Sequence, residues 1–185
     1  MPFALTTATT AVLLIDVQER FLPAIPGIAP DQECGRACAI LLAGATLLGV
    51  PVTISEQYPK GLGPTLPHLL AAAPGATRLD KTHFSCGDDP GLAGHLARQN
   101  RHHVVVAGIE AHVCVLATVA DLLAAGHRVI VASDAVASRR DTNREAALNA
   151  MRDLGALAMP TESILFRLQR QAGVGGFKAL SALVR

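Results

Sequence analysis

Aromatic residues are scarce in this chain of 185 residues: they make up 3% of it, and tryptophan is absent. Lys and Arg (16) nearly balance Asp and Glu (15), so the formal net charge is +1 at pH 7, and no run of basic residues occurs. Proteins that bind single-stranded nucleic acid stack bases on aromatic side chains in a basic groove. The composition therefore predicts no nucleic-acid partner.

Long apolar runs are also missing. No stretch reaches the roughly 18 uninterrupted apolar residues of a membrane span, and the N-terminal stretch MPFALTTATTAVLLIDVQ lacks the basic start of a signal peptide. The four cysteines (Cys34, Cys38, Cys86 and Cys114) form neither a CxxC pair nor a zinc-ribbon spacing. These features predict no membrane partner and reduced thiols, as expected of a cytoplasmic protein.

Half of the residues are hydrophobic, and apolar runs of strand length alternate with segments of helix length. We predict strands at 11–17, 51–57, 103–108, 128–134 and 155–160, and helices at 34–48, 92–100, 113–125, 142–154, 161–169 and 177–183. The stretches 58–67 and 76–91 are predicted to be irregular. This alternation predicts one domain over residues 1–185, a three-layer α/β/α sandwich with a mainly parallel sheet and Rossmann-like topology.

Two of the predicted helices, 34–48 and 113–125, have few polar positions. A helix that is apolar on all sides is normally buried on all sides. In a domain of this size, however, a helix that packs on the sheet should keep one side exposed to solvent. Two interpretations stay open: a deep groove between neighbouring helices, or an interface between subunits. We expect a homo-oligomer, a dimer or larger.

Polar residues cluster where the predicted strands end, and in open parallel sheets ligands bind beyond that edge. Asp16 follows the first strand, and Glu110 and Cys114 follow the strand at 103–108. Lys81 lies in the irregular stretch 76–91. A carboxylate at the tip of a buried strand is costly without a partner. Asp16 could take a proton from Cys114, with Lys81 holding the carboxylate charged.

Cys114 is expected in the first turn of its helix. Unpaired N–H groups and the positive end of the helix dipole favour an anion there. We therefore expect a lowered thiol pKa, a nucleophilic thiolate and N–H donors for an oxyanion. The other interpretation is that Cys114 is a small packing residue, because free cysteine is among the most buried residue types.

Four motifs then identify a family. LLIDVQERF with Asp16, KTHFS with Lys81, GIEAHVCV with Cys114, and ASDAVASR occur in this order at fitting separations. Together they resemble the isochorismatase-like cysteine hydrolases, which include nicotinamidases and carbamoylsarcosine amidases. The stretch SEQYPKGLGPT is similar to the isochorismatase domain-containing subgroup. The resemblance extends from about residue 10 to about residue 165.

The resemblance implies a catalytic triad of Asp16, Lys81 and Cys114. It also implies a cis peptide bond between Ile109 and Glu110, and an oxyanion hole formed by the backbone amides of Glu110 and Cys114. Nicotinamidases bind a metal through one Asp and two His after the second strand, where this chain has EQYPKGLGPTLPHLL. We therefore predict no metal and no other cofactor. Because isochorismatases that cleave a vinyl ether lack this cysteine, Cys114 argues for acyl chemistry.

The predicted function is hydrolysis of a small amide, or a related acyl substrate, through a thioester on Cys114. The substrate pocket is expected to be lined by Phe21, Gln57, Tyr58 and Phe84. The alternative is a binding or scaffold protein that keeps the fold without turnover, because fold alone does not determine function. A nucleotide-binding oxidoreductase would need a glycine-rich loop after the first strand, where QERFLP has no glycine.

Overall fold

A computed structural model describes residues 4–185. Its centre is a sheet of six parallel strands in the order β3-β2-β1-β4-β5-β6. The strands are β1 (Thr10–Ile15), β2 (Val52–Gln57), β3 (Thr77–Lys81), β4 (His103–Gly108), β5 (Arg128–Val136) and β6 (Leu157–Met159). The central strands consist of apolar and β-branched residues and are buried on both faces, as expected of a parallel sheet.

Helices cover both faces of this sheet, which confirms the predicted three-layer α/β/α sandwich. One face packs against α1 (Glu33–Leu47), α3 (Pro67–Ala72), α7 (Thr161–Gln169) and α8 (Phe177–Leu183). The other packs against α4 (Pro90–Gln99), α5 (Leu116–Ala124) and α6 (Asp141–Asp153). A short helix, α2 (Pro59–Leu62), lies in the loop after β2. No helix among residues 4–185 is both long enough and apolar enough to cross a membrane.

Two stretches predicted to be irregular contain regular structure. The stretch 58–67 holds α2, and the stretch 76–91 begins with β3. The sequence TRLDK of β3 has no apolar run because β3 is the edge strand and all but its last residue is at least partly exposed. Pairing with β2 places Lys81 opposite Gln57, so Lys81 ends a strand at the same sheet edge as Asp16.

The two apolar helices differ in how they are covered. Helix α1 contacts α3, α7 and α8 of the same chain, so its apolar sides are buried mostly by its neighbours. This favours the groove interpretation for α1. Helix α5 buries Val119 and Leu122, but Leu116, Ala120 and Leu123 on its outer side are only partly buried. For α5 the subunit interface stays a prediction.

Strand order reverses between β1 and β4, which are adjacent in the sheet although β2 and β3 come between them in the chain. Such a switch point opens a crevice at the carboxyl ends of the strands. The two strands approach closely there: a Cβ on Gly108 would lie 2.1 Å from Ile15 O, and Gly108 has φ +124°. Glycine is therefore required at the end of β4, next to the start of the loop that carries Asp16.

Candidate active site

Three of the predicted site residues meet at the switch point. Asp16 follows β1, Lys81 ends β3, and Cys114 lies in a π-helical turn, Ala111–Val115, between β4 and α5. All three are buried, with 1%, 3% and 7% of their surfaces exposed. The parallel strands bring these residues together although up to 98 positions separate them in the chain (Asp16 to Cys114).

Asp16 is held by contacts on both carboxylate oxygens. Lys81 Nζ lies 2.7 Å from Oδ2, and Ser55 Oγ donates a hydrogen bond of 2.7 Å to Oδ1. The residue has a left-handed backbone with φ 57°, which an Asp side chain tolerates better than most. Its N–H donates to Ser55 O at 3.1 Å. The carboxylate is thus fixed in one orientation at the mouth of the crevice.

Lys81 is enclosed by acceptors. Besides Asp16, its ammonium donates to Gln57 Oε1 at 2.5 Å and to the carbonyl oxygens of His83 and Phe84 at 3.1 and 3.0 Å. An ammonium has only three protons to donate, so four acceptors leave none for a substrate. Lys81 is therefore placed as a fixed positive charge beside Asp16 rather than as a proton donor.

Cys114 lies beside Asp16, close enough for each side chain to shift the pKa of the other. Burial raises the pKa of Cys114 to about 12, with a further increase from the Asp16 charge and an opposing effect from Lys81. The lowered pKa expected from the start of a helix is therefore wrong. Burial and a neighbouring carboxylate outweigh the helix dipole and keep the resting thiol protonated.

Burial likewise raises the pKa of Asp16, while Lys81, Ser55 and Cys114 lower it. The carboxylate is thus more basic than an exposed one and lies beside the thiol. Proton transfer from Cys114 to Asp16 is then possible at the moment of attack, with no thiolate formed in advance.

Glu110 precedes the π-helical turn, and the peptide bond between Ile109 and Glu110 is cis. Its N–H donates to no backbone carbonyl of residues 4–185. Its carboxylate accepts from Arg139 N at 3.1 Å and from Arg139 Nε at 3.0 Å. The Glu110 side chain is therefore held away from its own N–H, which remains free to donate to a ligand.

His112 follows Glu110 by two positions and does not reach Cys114 through any hydrogen bond. Its Nδ1 lies 3.0 Å from Ser138 Oγ and its Nε2 lies 3.3 Å from Asn143 Nδ2. Nδ1 also lies 3.9 Å from Glu110 Oε2, so the partners of both ring nitrogens are groups other than Cys114.

Of the four residues predicted to line the substrate pocket, Gln57 ends β2 and the others lie between strands, and the structure does not join the four into one closed pocket. Tyr58 and Phe84 are 55% and 63% exposed. Phe21 is half-buried against the core. Gln57 uses both ends of its side-chain amide internally, accepting from Lys81 and donating to Thr82 O at 2.9 Å. Substrate contact by these residues stays a prediction.

Three clefts in the structure do not enclose the triad. A cleft of about 350 Å³ is lined by Tyr58, Lys60, Asp80, Lys81 and Asp89, among others, but not by Cys114. Two larger clefts, of about 500 and 420 Å³, lie beside the start of α1 and hold none of the triad residues. Asp16 and Cys114 therefore line none of these three clefts.

Several residues near the site gave no signal in the sequence. Ser55 donates a hydrogen bond to Asp16, and the buried thiol of Cys86 lies near both residues. Gln18 holds the loop after β2: its amide donates to Gln57 O and Gly63 O, and accepts from Gln57 N. Within residues 4–185, no group of three or more His, Cys, Asp or Glu side chains could hold a metal ion.

Comparison with known proteins agrees with this geometry. The family model of the isochorismatase domain matches residues 10–163. Isochorismatase domain-containing protein 2A of Mus musculus is 38% identical over 178 residues, covering 96% of this chain and 83% of that protein. The chain therefore belongs to the isochorismatase-like hydrolase family, in the isochorismatase domain-containing subgroup.

Solved structures show the same fold. The MAR1 ribonuclease of Caenorhabditis elegans superposes with a TM-score of 0.88 at 35% identity, covering 97% of this chain and 91% of that one. The YcaC gene product of Escherichia coli, described as an octameric hydrolase of unknown specificity, superposes with a TM-score of 0.89 at 23% identity. This superposition covers 97% of this chain and 90% of that one.

Proposed function

We propose that this protein hydrolyses a small, mostly uncharged amide or related acyl compound through a thioester on Cys114. One observation carries the proposal: the buried thiol of Cys114 lies beside a buried carboxylate, Asp16, that is itself 2.7 Å from a buried ammonium. A thiol, a base and a fixed positive charge in one crevice are the parts that nucleophilic catalysis requires.

In the first step, Asp16 takes the proton of Cys114 as sulfur attacks the acyl carbon. The backbone N–H groups of Glu110 and Cys114 stabilise the oxyanion in this proposed step. Such a donor contributes about 10²–10³-fold to the rate. Lys81 keeps the negative charge on Asp16 before transfer and gives up no proton itself.

Asp16 then returns the proton to the leaving amine, and the C–N bond breaks to leave a thioester. Water, deprotonated by Asp16, attacks the thioester and releases the carboxylic acid together with the free thiol. Positioned proton transfer of this kind is worth about 10²–10⁴-fold. Amide and water are consumed, and acid and amine are produced, so no cofactor is required.

The direct test is a mass-spectrometric search for the thioester. The protein is incubated with a panel of small amides and esters, quenched in acid and mapped by peptide. An acyl adduct on Cys114 with at least one compound supports the proposal. Cys38, buried in α1 and bonded to Ala135 O, provides the internal control because it should stay unmodified. The proposal is contradicted if product forms although no adduct is found on Cys114, and if Cys114→Ser releases product as fast as the wild type.

Binding without turnover is the rival function, and it makes a different prediction for the same experiment: compounds would bind, but neither adduct nor product would form. RNA cleavage, the activity named for the C. elegans neighbour, is not extended to this chain. The chain has almost no net charge and few aromatic residues for an RNA surface. An RNA oligonucleotide included in the panel should remain intact.

We further propose that the protein forms a homo-oligomer through the outer side of α5. Apolar side chains there, including Leu116, Ala120 and Leu123, are only partly buried within one chain. The octameric YcaC structure has the same fold, which supports a second copy of this chain as the occupant. Since α5 follows directly from the turn that carries Cys114, a partner would lie near the open side of the site.

A further inference from the structure

Ser55 makes the second set of contacts to the carboxylate that the proposed mechanism uses as its base. It lies on β2, next to β1 in the sheet, and is completely buried. Its hydroxyl donates to Asp16 Oδ1 at 2.7 Å, and its carbonyl accepts from Asp16 N at 3.1 Å. One residue thus holds both the backbone and the side chain of Asp16.

We propose that Ser55 is a positioning residue that orients Asp16 toward Cys114 and keeps it ionised; this inference rests on the proposed function. A hydroxyl has a single proton to donate, and Ser55 commits it to Oδ1. With Lys81 on Oδ2, both oxygens have a fixed donor, and rotation of the carboxylate would break two buried hydrogen bonds.

The other titratable groups facing Asp16 come from three different segments. Lys81 ends β3, Cys114 lies in the turn after β4, and Cys86 lies in the loop after β3. Lys81 brings the positive charge, and the two thiols are neutral because burial raises the pKa of Cys86 to about 11 and that of Cys114 to about 12. Ser55 is uncharged and donates to Asp16 Oδ1, so its loss changes Asp16 without changing any charge.

The consequence is a shift in pH dependence and not merely a loss of stability. A hydrogen bond to the ionised carboxylate lowers its pKa, as Ser55 does for Asp16. Removing it leaves burial less opposed, so Asp16 is protonated at higher pH. A protonated Asp16 cannot accept the thiol proton. The acidic limb of the profile of Cys114 reactivity against pH, where reactivity falls as Asp16 is protonated, therefore moves to higher pH.

The test uses iodoacetamide as a probe, which needs no known substrate. Alkylation of Cys114 is followed by peptide mass spectrometry at a series of pH values where circular dichroism shows the fold intact. In Ser55→Ala the acidic limb is expected about one pH unit higher than in the wild type, since a bond to a charged group is of this order. Ser55→Thr keeps a hydroxyl, so its acidic limb should lie close to that of the wild type.

Thr53→Val provides a matched control. Thr53 is buried on the same strand, two residues earlier, and its hydroxyl contacts His95 and Gln99 instead of Asp16. Its limb should coincide with that of the wild type. The inference is contradicted if the acidic limb of Ser55→Ala coincides with that of the wild type. It is also contradicted if the alkylation rate of Ser55→Ala and of the wild type stays constant down to the pH at which the fold is lost.

Failure of the inference and failure of the proposed function give different results. If Asp16→Asn leaves the pH dependence of Cys114 alkylation unchanged, Asp16 is not the base and the proposed mechanism is wrong. If Asp16→Asn changes it but Ser55→Ala does not, Asp16 stands as the base and the role of Ser55 alone is contradicted.

Discussion

The ammonium of Lys81 lies 2.7 Å from Asp16 Oδ2, and 0% and 2% of the two side chains are exposed. Neither group could be buried alone without a large desolvation cost. The pair is therefore a structural unit as well as a candidate catalytic one. Removing one member should lower the free energy of unfolding more than removing both.

Lys81→Met should lower the free energy of unfolding by about 3–5 kcal/mol, because it leaves the Asp16 carboxylate buried and unpaired. Urea denaturation measures this change. In the double variant Lys81→Met/Asp16→Asn no charge remains buried, so much of the loss should be recovered. Lys178→Met, at an exposed lysine of α8, should change the free energy by less than about 0.5 kcal/mol. If Lys81→Met changes the free energy of unfolding as little as this control does, Lys81 and Asp16 do not stabilise each other as a buried pair.

Asp16→Asn should remove the base that assists Cys114. In the wild type, alkylation by iodoacetamide should be nearly independent of pH above the pKa of Asp16, because the carboxylate takes the thiol proton during attack. In Asp16→Asn the rate should instead rise with pH as an ordinary thiol titrates. The Asp16 charge contributes to the raised pKa of Cys114, so that titration should lie below about 12. Identical profiles for the two proteins would refute the assignment of Asp16.

The raised pKa of Cys114 has a consequence for stability. The folded thiol titrates near 12 because of burial and the Asp16 charge, whereas an unfolded thiol titrates near 8.5. Between these values the unfolded state binds fewer protons, so the free energy of unfolding falls as pH rises, by up to about 1.4 kcal/mol per pH unit. Below about pH 8 the contribution is fully present.

Cys114→Ala lacks this dependence and serves as the reference. The difference in unfolding free energy between the wild type and Cys114→Ala should shrink by about 1–2 kcal/mol from about pH 8 to about pH 10. The pKa of Cys86, raised by burial to about 11, contributes equally to both proteins and cancels. A difference that stays constant over this range would show that the folded thiol titrates like an unfolded one.

Ala120→Arg places a charge on the outer side of α5, where a second copy of the chain is proposed to pack. Light scattering after size exclusion should report a smaller assembly than the wild type, with circular dichroism unchanged. Ala97→Arg, at an exposed position of α4, should leave the assembly intact. A wild type that is already monomeric at all concentrations measured would remove the basis of this proposal.

The sequence predicted the layers of the fold because apolar runs mark β1, β4 and β5 and alternate with segments of helix length. It missed β3, since an exposed edge strand with the sequence TRLDK has no strand pattern of its own. The position of Lys81 at a strand end was therefore not predicted by pattern. Lys81 was a candidate partner of Asp16 from its place in the stretch 76–91, and the family resemblance implied the triad. Ser55 gave no signal either, because a serine in a buried strand looks the same whether or not it faces a carboxylate.

The pKa of Cys114 shows a different limit. Its position near a helix start is readable in the sequence and predicts a lowered value. Its burial and its contact with Asp16 depend on three segments meeting, and both raise the value. Contacts between segments that are distant in the sequence therefore decide the direction of the pKa shift of Cys114, and these contacts are known only once the fold is known.

Turnover by variants of the triad tests the central claim most directly. With any small amide that the wild type hydrolyses, Cys114→Ser, Asp16→Asn and the double variant should each lose about 10³-fold or more in kcat, and the double variant should lose little beyond either single one, because the groups act as a unit. Cys38→Ser should stay within a few-fold of the wild type. Hydrolysis by Cys114→Ser at the wild-type rate would contradict the account.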